Sequence, residues 1–164
     1  MTNQPETETL SMALLVQTGP LLDIYTINDK PFTGIGIMYH GNQNNPFDLS
    51  KIKTRTTFKQ GRKNGPIEWF YKNGKLKSRR NYNNGTPQGS FKEFYENGKL
   101  KSRRNYNNGE HHGLWEAHHK NGKLKYSGYF KSGRKDSVFD YCDENGQHFL
   151  SDSNHESFFV SFFQ

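Results

Sequence analysis

The sequence predicts an all-β protein made of tandem antiparallel β-hairpins that line up as one elongated, twisted sheet. Three observations carry that expectation. Sixteen glycines and 15% aromatic residues stand beside only 30% hydrophobic content, which suits turn-rich strands with a core built on rings, not a helical bundle. Asn-Gly recurs every 24 residues, at 73–74, 97–98, 121–122 and 145–146. Between strand-like runs this dipeptide is the strongest short hairpin signal, because a tight turn there needs positive φ. Apolar positions keep the same period: Ile67, Phe91, Trp115 and Phe139; Phe58, Tyr82, Tyr106 and Phe130; Leu76, Leu100 and Leu124. One hairpin is marginal in water, so such a period argues for units that stack.

Taken in order, residues 1–20 read as an N-terminal tail, disordered over the first nine. Residues 21–150 read as a single domain of hairpin repeats. It opens with a strand over Leu21–Ile27 and a degenerate first unit at 25–61, whose loop is enlarged over Gly41–Asp48. Regular units fill 62–133. A degenerate last unit at 134–150 loses a glycine at Ser137 and a leucine at His148. Residues 151–164 end in the apolar run "ESFFVSFFQ", expected to pack back on the sheet; an edge strand or a dimer contact are the alternatives.

Folding a unit about its Asn-Gly pairs Tyr71 with Leu76, Trp69 with Ser78 and Ile67 with Arg80, which gives an aromatic-rich face. The reverse face takes Phe70 with Lys77 and Glu68 with Arg79. Glu93, Arg80 and Arg104 then fall at the margin of the aromatic face, and a bulge near those arginines would relieve them. Two further glycine series, at 61, 85, 109 and 133 and at 65, 89 and 113, mark longer joining loops.

Charge is as periodic as the rings. Between Lys51 and Lys135 lie 22 of the 23 Lys and Arg residues and five of the 16 acids. A basic middle between acidic flanks points to an anionic partner. The candidate binding residues are Lys75, Lys77, Arg79, Lys99, Lys101, Arg103, Lys123 and Lys125, with Phe70 and Phe94 beside them. Against this stands the plain reading of a solvated face that protects sheet edges.

Other chemistries find little support. Cys142 is the only cysteine, so neither a disulfide nor a cysteine-based zinc site is expected. His111, His112, His118 and His119 form adjacent pairs, which on a strand point to opposite faces, so no metal site is expected. No triad, phosphate loop or paired carboxylates can be argued, and neither an enzyme nor a cofactor is expected. No apolar run approaches the roughly 20 residues of a membrane span. The polar, acidic start lacks the form of a signal peptide, so a cytoplasmic protein is expected.

The stretches "GSFKEFYENGKLKSRRNYNNGEHHGLWEAHHKNGKLKYSGYFKSG" and "KPFTGIGIMYH" resemble the MORN-repeat variant found in YwqK-family antitoxin-like bacterial proteins. The resemblance covers about Pro31 to Gly146. It implies hairpin repeats without catalytic residues, serving as adaptors, protein platforms or contacts to acidic phospholipids. The resulting expectation is an antitoxin- or immunity-like adaptor that holds an acidic protein partner, such as a toxin, on its basic face. The alternative is a peripheral adaptor on anionic membrane lipids. A third reading is nucleic-acid binding, since rings interleaved with arginine can stack bases, although no nucleic-acid motif is present.

Overall fold

The computed structural model of the chain describes residues 9–11, 16–18, 24–40, 51–151 and 157–159, and these form strands and turns with no helix among them. The chain divides into two compact units, Met1–Pro87 and Gln88–Gln164, where the sequence suggests one repeat domain. In a repeat array each hairpin packs on its neighbours, so no single core has to span the chain.

The first unit contains β1 (Thr9–Ser11), β2 (Val16–Thr18), β3 (Ile24–Ile27), β4 (Lys30–Pro31), β5 (Gly34–Tyr39), β6 (Ile52–Lys59), β7 (Arg62–Phe70), β8 (Leu76–Asn83) and β9 (Thr86–Pro87). Its larger sheet runs β1-β5-β6-β7-β8, with β9 on β8, and is antiparallel except where β1 joins β5. A small sheet, β2-β3-β4, holds the strand expected near Leu21–Ile27. The enlarged loop at Gly41–Asp48 and most of the N-terminal tail lie outside the described residues.

The second unit contains β10 (Gly89–Phe94), β11 (Leu100–Asn107), β12 (Glu110–His111), β13 (Gly113–His118), β14 (Leu124–Lys131), β15 (Arg134–Lys135), β16 (Asp140–Cys142), β17 (His148–Ser151) and β18 (Ser157–Phe159). The order is β10-β11-β13-β14-β16-β17-β18, with β12 on β11 and β15 on β14. Within the C-terminal tail, Ser157–Phe159 pairs antiparallel with β17 as an edge strand; the rest of the tail lies outside the described residues.

Two turn types alternate along the chain, and they exchange the roles that the dipeptides suggest. The two-residue turns are Asn28-Asp29, Gln60-Gly61, Asn84-Gly85, Asn108-Gly109 and Ser132-Gly133, where both residues have positive φ, 48° and 86° at Asn84-Gly85. Asn83 and Thr86 pair directly across that turn. This is the hairpin geometry that matches strand twist. At Asn73-Gly74 only the glycine is left-handed, at 82°. Gly74 N–H donates to Tyr71 C=O at 2.9 Å and Tyr71 N–H to Lys75 C=O at 2.8 Å. The Asn73 carboxamide oxygen accepts from Lys75 N–H at 3.0 Å. The result is a three-residue loop, a type I turn closed by a left-handed glycine, and it recurs at Tyr95–Lys99 and His119–Lys123.

That loop puts one more residue on the returning strand than a two-residue turn would. The register follows the expected pairs from Gly65↔Tyr82 to Trp69↔Ser78, then slips, so that Phe70 meets Leu76 instead of Lys77. The same slip falls at Glu93/Phe94 and Ala117/His118. A bulge therefore exists, but it lies at Lys77 and Lys101, not beside the arginines.

The two aromatic series interleave into one spine in the second unit. Phe91 and Tyr106 centroids are 4.4 Å apart, Tyr106 and Trp115 6.4 Å, Trp115 and Phe130 4.4 Å, and Phe130 and Phe139 5.6 Å. Such tilted and edge-on pairs contribute about 0.5–1.5 kcal/mol each beyond the area they bury. His111 joins the spine, its ring 4.2 Å from Trp115. In the first unit the core gathers on Phe32, Phe58 and Ile67, each 2% exposed. The marginal arginines stay on the ring face by stacking: Arg80 lies 5.0 Å from the Trp69 centroid and Arg104 5.3 Å from that of Trp115. Glu93 is held there by the Ser102 hydroxyl, which donates at 3.0 Å.

Candidate binding surface

The candidate cations do not form one uniform ladder, because the register slip and local partners sort all but Lys75 into three groups. Lys99 and Lys123 are ties between successive turns. The Lys99 ammonium donates to Asn121 C=O, and the Lys123 ammonium to Asn145 C=O at 2.8 Å. In parallel, Asn97 Nδ2 donates to Lys120 C=O at 3.1 Å and Asn121 Nδ2 to Glu144 C=O at 2.8 Å. The lysine stem lies over the next turn's glycine, where a Cβ on Gly122 would stand 3.2 Å from Lys99 Cδ. The aromatic position before each turn adds a third tie: Tyr95 OH donates to His118 C=O at 2.7 Å, and His119 Nε2 meets Cys142 C=O at 2.8 Å. Each letter of Asn-Gly-Lys thus has a structural task.

These ties have a measurable consequence. Lys99→Met and Lys123→Met keep the stem and remove the donor, so each should cost about 0.5–1.5 kcal/mol in urea unfolding. Lys101→Met should stay within about 0.5 kcal/mol of the parent. Equal losses at all three positions would show that the ties contribute nothing.

Arg79 and Arg103 form the second group, paired with acids across the strand. Arg79 shares Glu68 with Arg55, at 3.8 and 3.6 Å, while Arg103 Nε sits 3.0 Å from Glu116. Such partly exposed pairs contribute about 0–1 kcal/mol each, but they lower the charge offered outward.

Lys77, Lys101 and Lys125 form the third group. All three are exposed. Lys77 lies 5.7 Å from the Tyr71 centroid and Lys101 6.0 Å from that of Tyr95. The slip places Lys101 among inner-face residues, so that in the second unit a groove of about 200 Å³ is lined by Lys101, Lys125, Arg104, His118, Glu93, Tyr95 and Tyr126, among others. Two solvent-shielded nitrogens, Arg104 Nε and His118 Nδ1, have no hydrogen-bond partner among the described residues. Glu93 is the one acid lining this groove. Lys75 is exposed at the turn of the first unit. Phe70 and Phe94 are half-buried and pair with Leu76 and Leu100, so they serve packing as much as contact.

Arg104, His118 and Tyr126 escape a reading based on strict alternation, which puts Lys101 on the opposite face from Ser102. The signal available was the extra residue in the turn.

A second cluster lies on β16 and β17. Asp140, Cys142 and His148 bring a carboxylate oxygen, a thiol and an imidazole nitrogen within 4.8 Å of one another. Cys142 is 4% exposed, and that burial, followed by the charges of Asp140 and Asp143, pushes its thiol up from the usual range. Asp143 is shifted the other way: backbone N–H groups of Gln147, Asn145 and Gly146 hold its carboxyl below the usual range. A lone cysteine and adjacent histidine pairs do not point to this trio, whose members meet only across the last turn.

No helix of the described residues is long and apolar enough to cross a membrane. No curated protein and no solved structure matches the chain significantly. Three stretches, 63–84, 87–108 and 112–132, match the family model described as the MORN repeat variant. Each covers one hairpin, β7–β8, β10–β11 and β13–β14, so residues 63–132 carry the MORN repeat variant three times in succession.

Proposed function

We propose that the protein is a non-catalytic adaptor of antitoxin- or immunity-like kind, which holds an acidic protein partner on its basic repeat surface. The observation that carries this reading is the groove of the second unit. Two lysine ammoniums, an arginine and a histidine line it around a single acid that already accepts from Ser102. Ammonium and guanidinium donors at such a site match carboxylates, and their charge speeds encounter with an acidic surface. Tyr95 and Tyr126 line the same groove and supply contact area at low entropic cost. The rings of the spine stack on one another, which leaves them poorly placed to take nucleic-acid bases. The thiol of Cys142 and the resemblance to bacterial antitoxin-like proteins agree with a bacterial cytoplasm as the working compartment.

The test uses two defined probes, a poly-glutamate peptide and vesicles rich in phosphatidylserine. The parent should retain the peptide at low salt and release it at high salt. Lys101→Ser with Lys125→Ser should weaken retention by about tenfold, two partly exposed charge contacts being involved, while unfolding stays unchanged. Binding of vesicles without binding of the peptide would replace this reading with the lipid adaptor. Undiminished peptide binding by the double variant would remove the groove from it.

A further inference from the structure

We propose that Asp140, Cys142 and His148 form a binding site for a zinc-like divalent transition-metal ion. In each regular hairpin the residue just before the turn pairs across the register slip with a leucine: Phe70 with Leu76, Phe94 with Leu100, His118 with Leu124. In the last hairpin the same cross-strand position holds Cys142 opposite His148. An aromatic–aliphatic packing pair has been replaced by a thiol and an imidazole, and both are metal ligands.

Strand geometry supplies the third donor. Residues two apart on a strand share a face, so Asp140 stands beside Cys142 on β16. His148 Nδ1 lies 2.9 Å from Asp140 Oδ1 and 3.8 Å from Cys142 Sγ. Zinc bonds of about 2.0–2.2 Å to nitrogen or oxygen and about 2.3 Å to sulfur, at tetrahedral angles, require ligand separations of roughly 3.4 Å and 3.6 Å. The two histidine separations are within about half an ångström of those values, and all three ligand atoms lie within 4.8 Å of one another, so side-chain adjustments of up to about an ångström seat the ion with no change of backbone register.

The surroundings fit the same purpose. The backbone that carries the thiol is held from outside, since His119 Nε2 meets Cys142 C=O at 2.8 Å. The thiol is buried, but the Asp140 and His148 side chains are 47% and 53% exposed, which leaves a route of entry from solvent. One sulfur, one nitrogen and one carboxylate oxygen suit zinc or its neighbours and not calcium or magnesium, which take oxygen ligands. Thiolate and carboxylate together balance a 2+ ion, and the thiol proton leaves to solvent as the metal–sulfur bond forms. Three protein donors leave a fourth position for water.

The test is a titration of the full-length, metal-stripped protein with cobalt(II), a coloured stand-in for zinc. Four-coordinate cobalt with a thiolate ligand gives a sulfur-to-metal charge-transfer band in the near ultraviolet. That band should appear at one equivalent and vanish when one equivalent of zinc is added. Cys142→Ala should abolish it. His148→Leu, which restores the residue of the regular repeats and should fold, is expected to weaken cobalt affinity at least about tenfold. Absence of the band in folded protein, or its persistence in Cys142→Ala, would overturn the assignment and leave Asp140 and His148 as an ordinary hydrogen-bonded pair.

Discussion

Phe58→Ala is expected to destabilise the first unit by about 3–5 kcal/mol, the cost of removing a fully buried aromatic ring and leaving its cavity. Phe58 is 2% exposed, and its ring lies 4.8 Å from Tyr25 and 5.8 Å from Phe32. It therefore joins the strands of the larger sheet to the segment that carries the small one. Few apolar side chains share that burden, since Phe32 and Ile67 are the other buried hydrophobic residues among the described residues of this unit. The two tryptophans make the measurement specific: Trp69 lies in the first unit and Trp115 in the second. Urea unfolding read by fluorescence in a Trp115→Phe background should show the full loss. A loss under about 1 kcal/mol would mean that this core contributes little.

Gly61→Ala should cost about 2–4 kcal/mol, of which roughly 1–2 is the left-handed backbone and the remainder steric. Gly61 has φ +74°, and a Cβ there would stand 2.6 Å from Ile24 Cγ2 and 2.8 Å from Tyr25 C=O. The backbone cannot retreat easily. Gly61 N–H donates to Phe32 C=O at 2.6 Å, and Gly61 C=O accepts from Tyr25 N–H at 2.7 Å. The molecule contains its own control. Gly85 occupies the same place in the next turn, at φ +86°, and its added Cβ would meet nothing within 4 Å. Gly85→Ala should thus cost only the backbone share, about 1–2 kcal/mol. Equal losses at the two glycines would show that the packing of Ile24 and Tyr25 on this turn has no energetic weight.

Much of the architecture was legible in the sequence because one period organises everything. The 24-residue recurrence of Asn-Gly, rings and leucines placed β7–β8, β10–β11 and β13–β14, and it placed the pairing from Gly65↔Tyr82 to Trp69↔Ser78 residue for residue. It could not tell a two-residue loop from a three-residue one. Asn73-Gly74 and Asn84-Gly85 are the same dipeptide, yet only the second has both residues left-handed. The difference is made by the flanks, where Asn73 turns its side chain onto Lys75 N–H. One residue of slip changes which face a side chain joins, and this is why the cations sort into ties, ion pairs and groove instead of a single ladder. The Asp140–Cys142–His148 trio was hidden for a related reason. Its members gather only once Cys142 and His148 are known to be partners across a turn. Sequence did flag His148 as the residue that leaves the leucine series.

The turn-to-turn ties all run one way. Tyr95, Asn97 and Lys99 donate hydrogen bonds to the turn that follows, and His119, Asn121 and Lys123 do the same for the next. In the last turn the corresponding residues are Asp143, Asn145 and Gln147, and Asp143 instead collects N–H groups from within its own loop. The array is therefore a chain of interchangeable cassettes closed by a terminator. A further 24-residue copy spliced between Asn97 and Asn121 would find its acceptors already waiting ahead and would supply the donors required behind. Growth by a whole cassette within the second unit keeps these turn-to-turn ties intact.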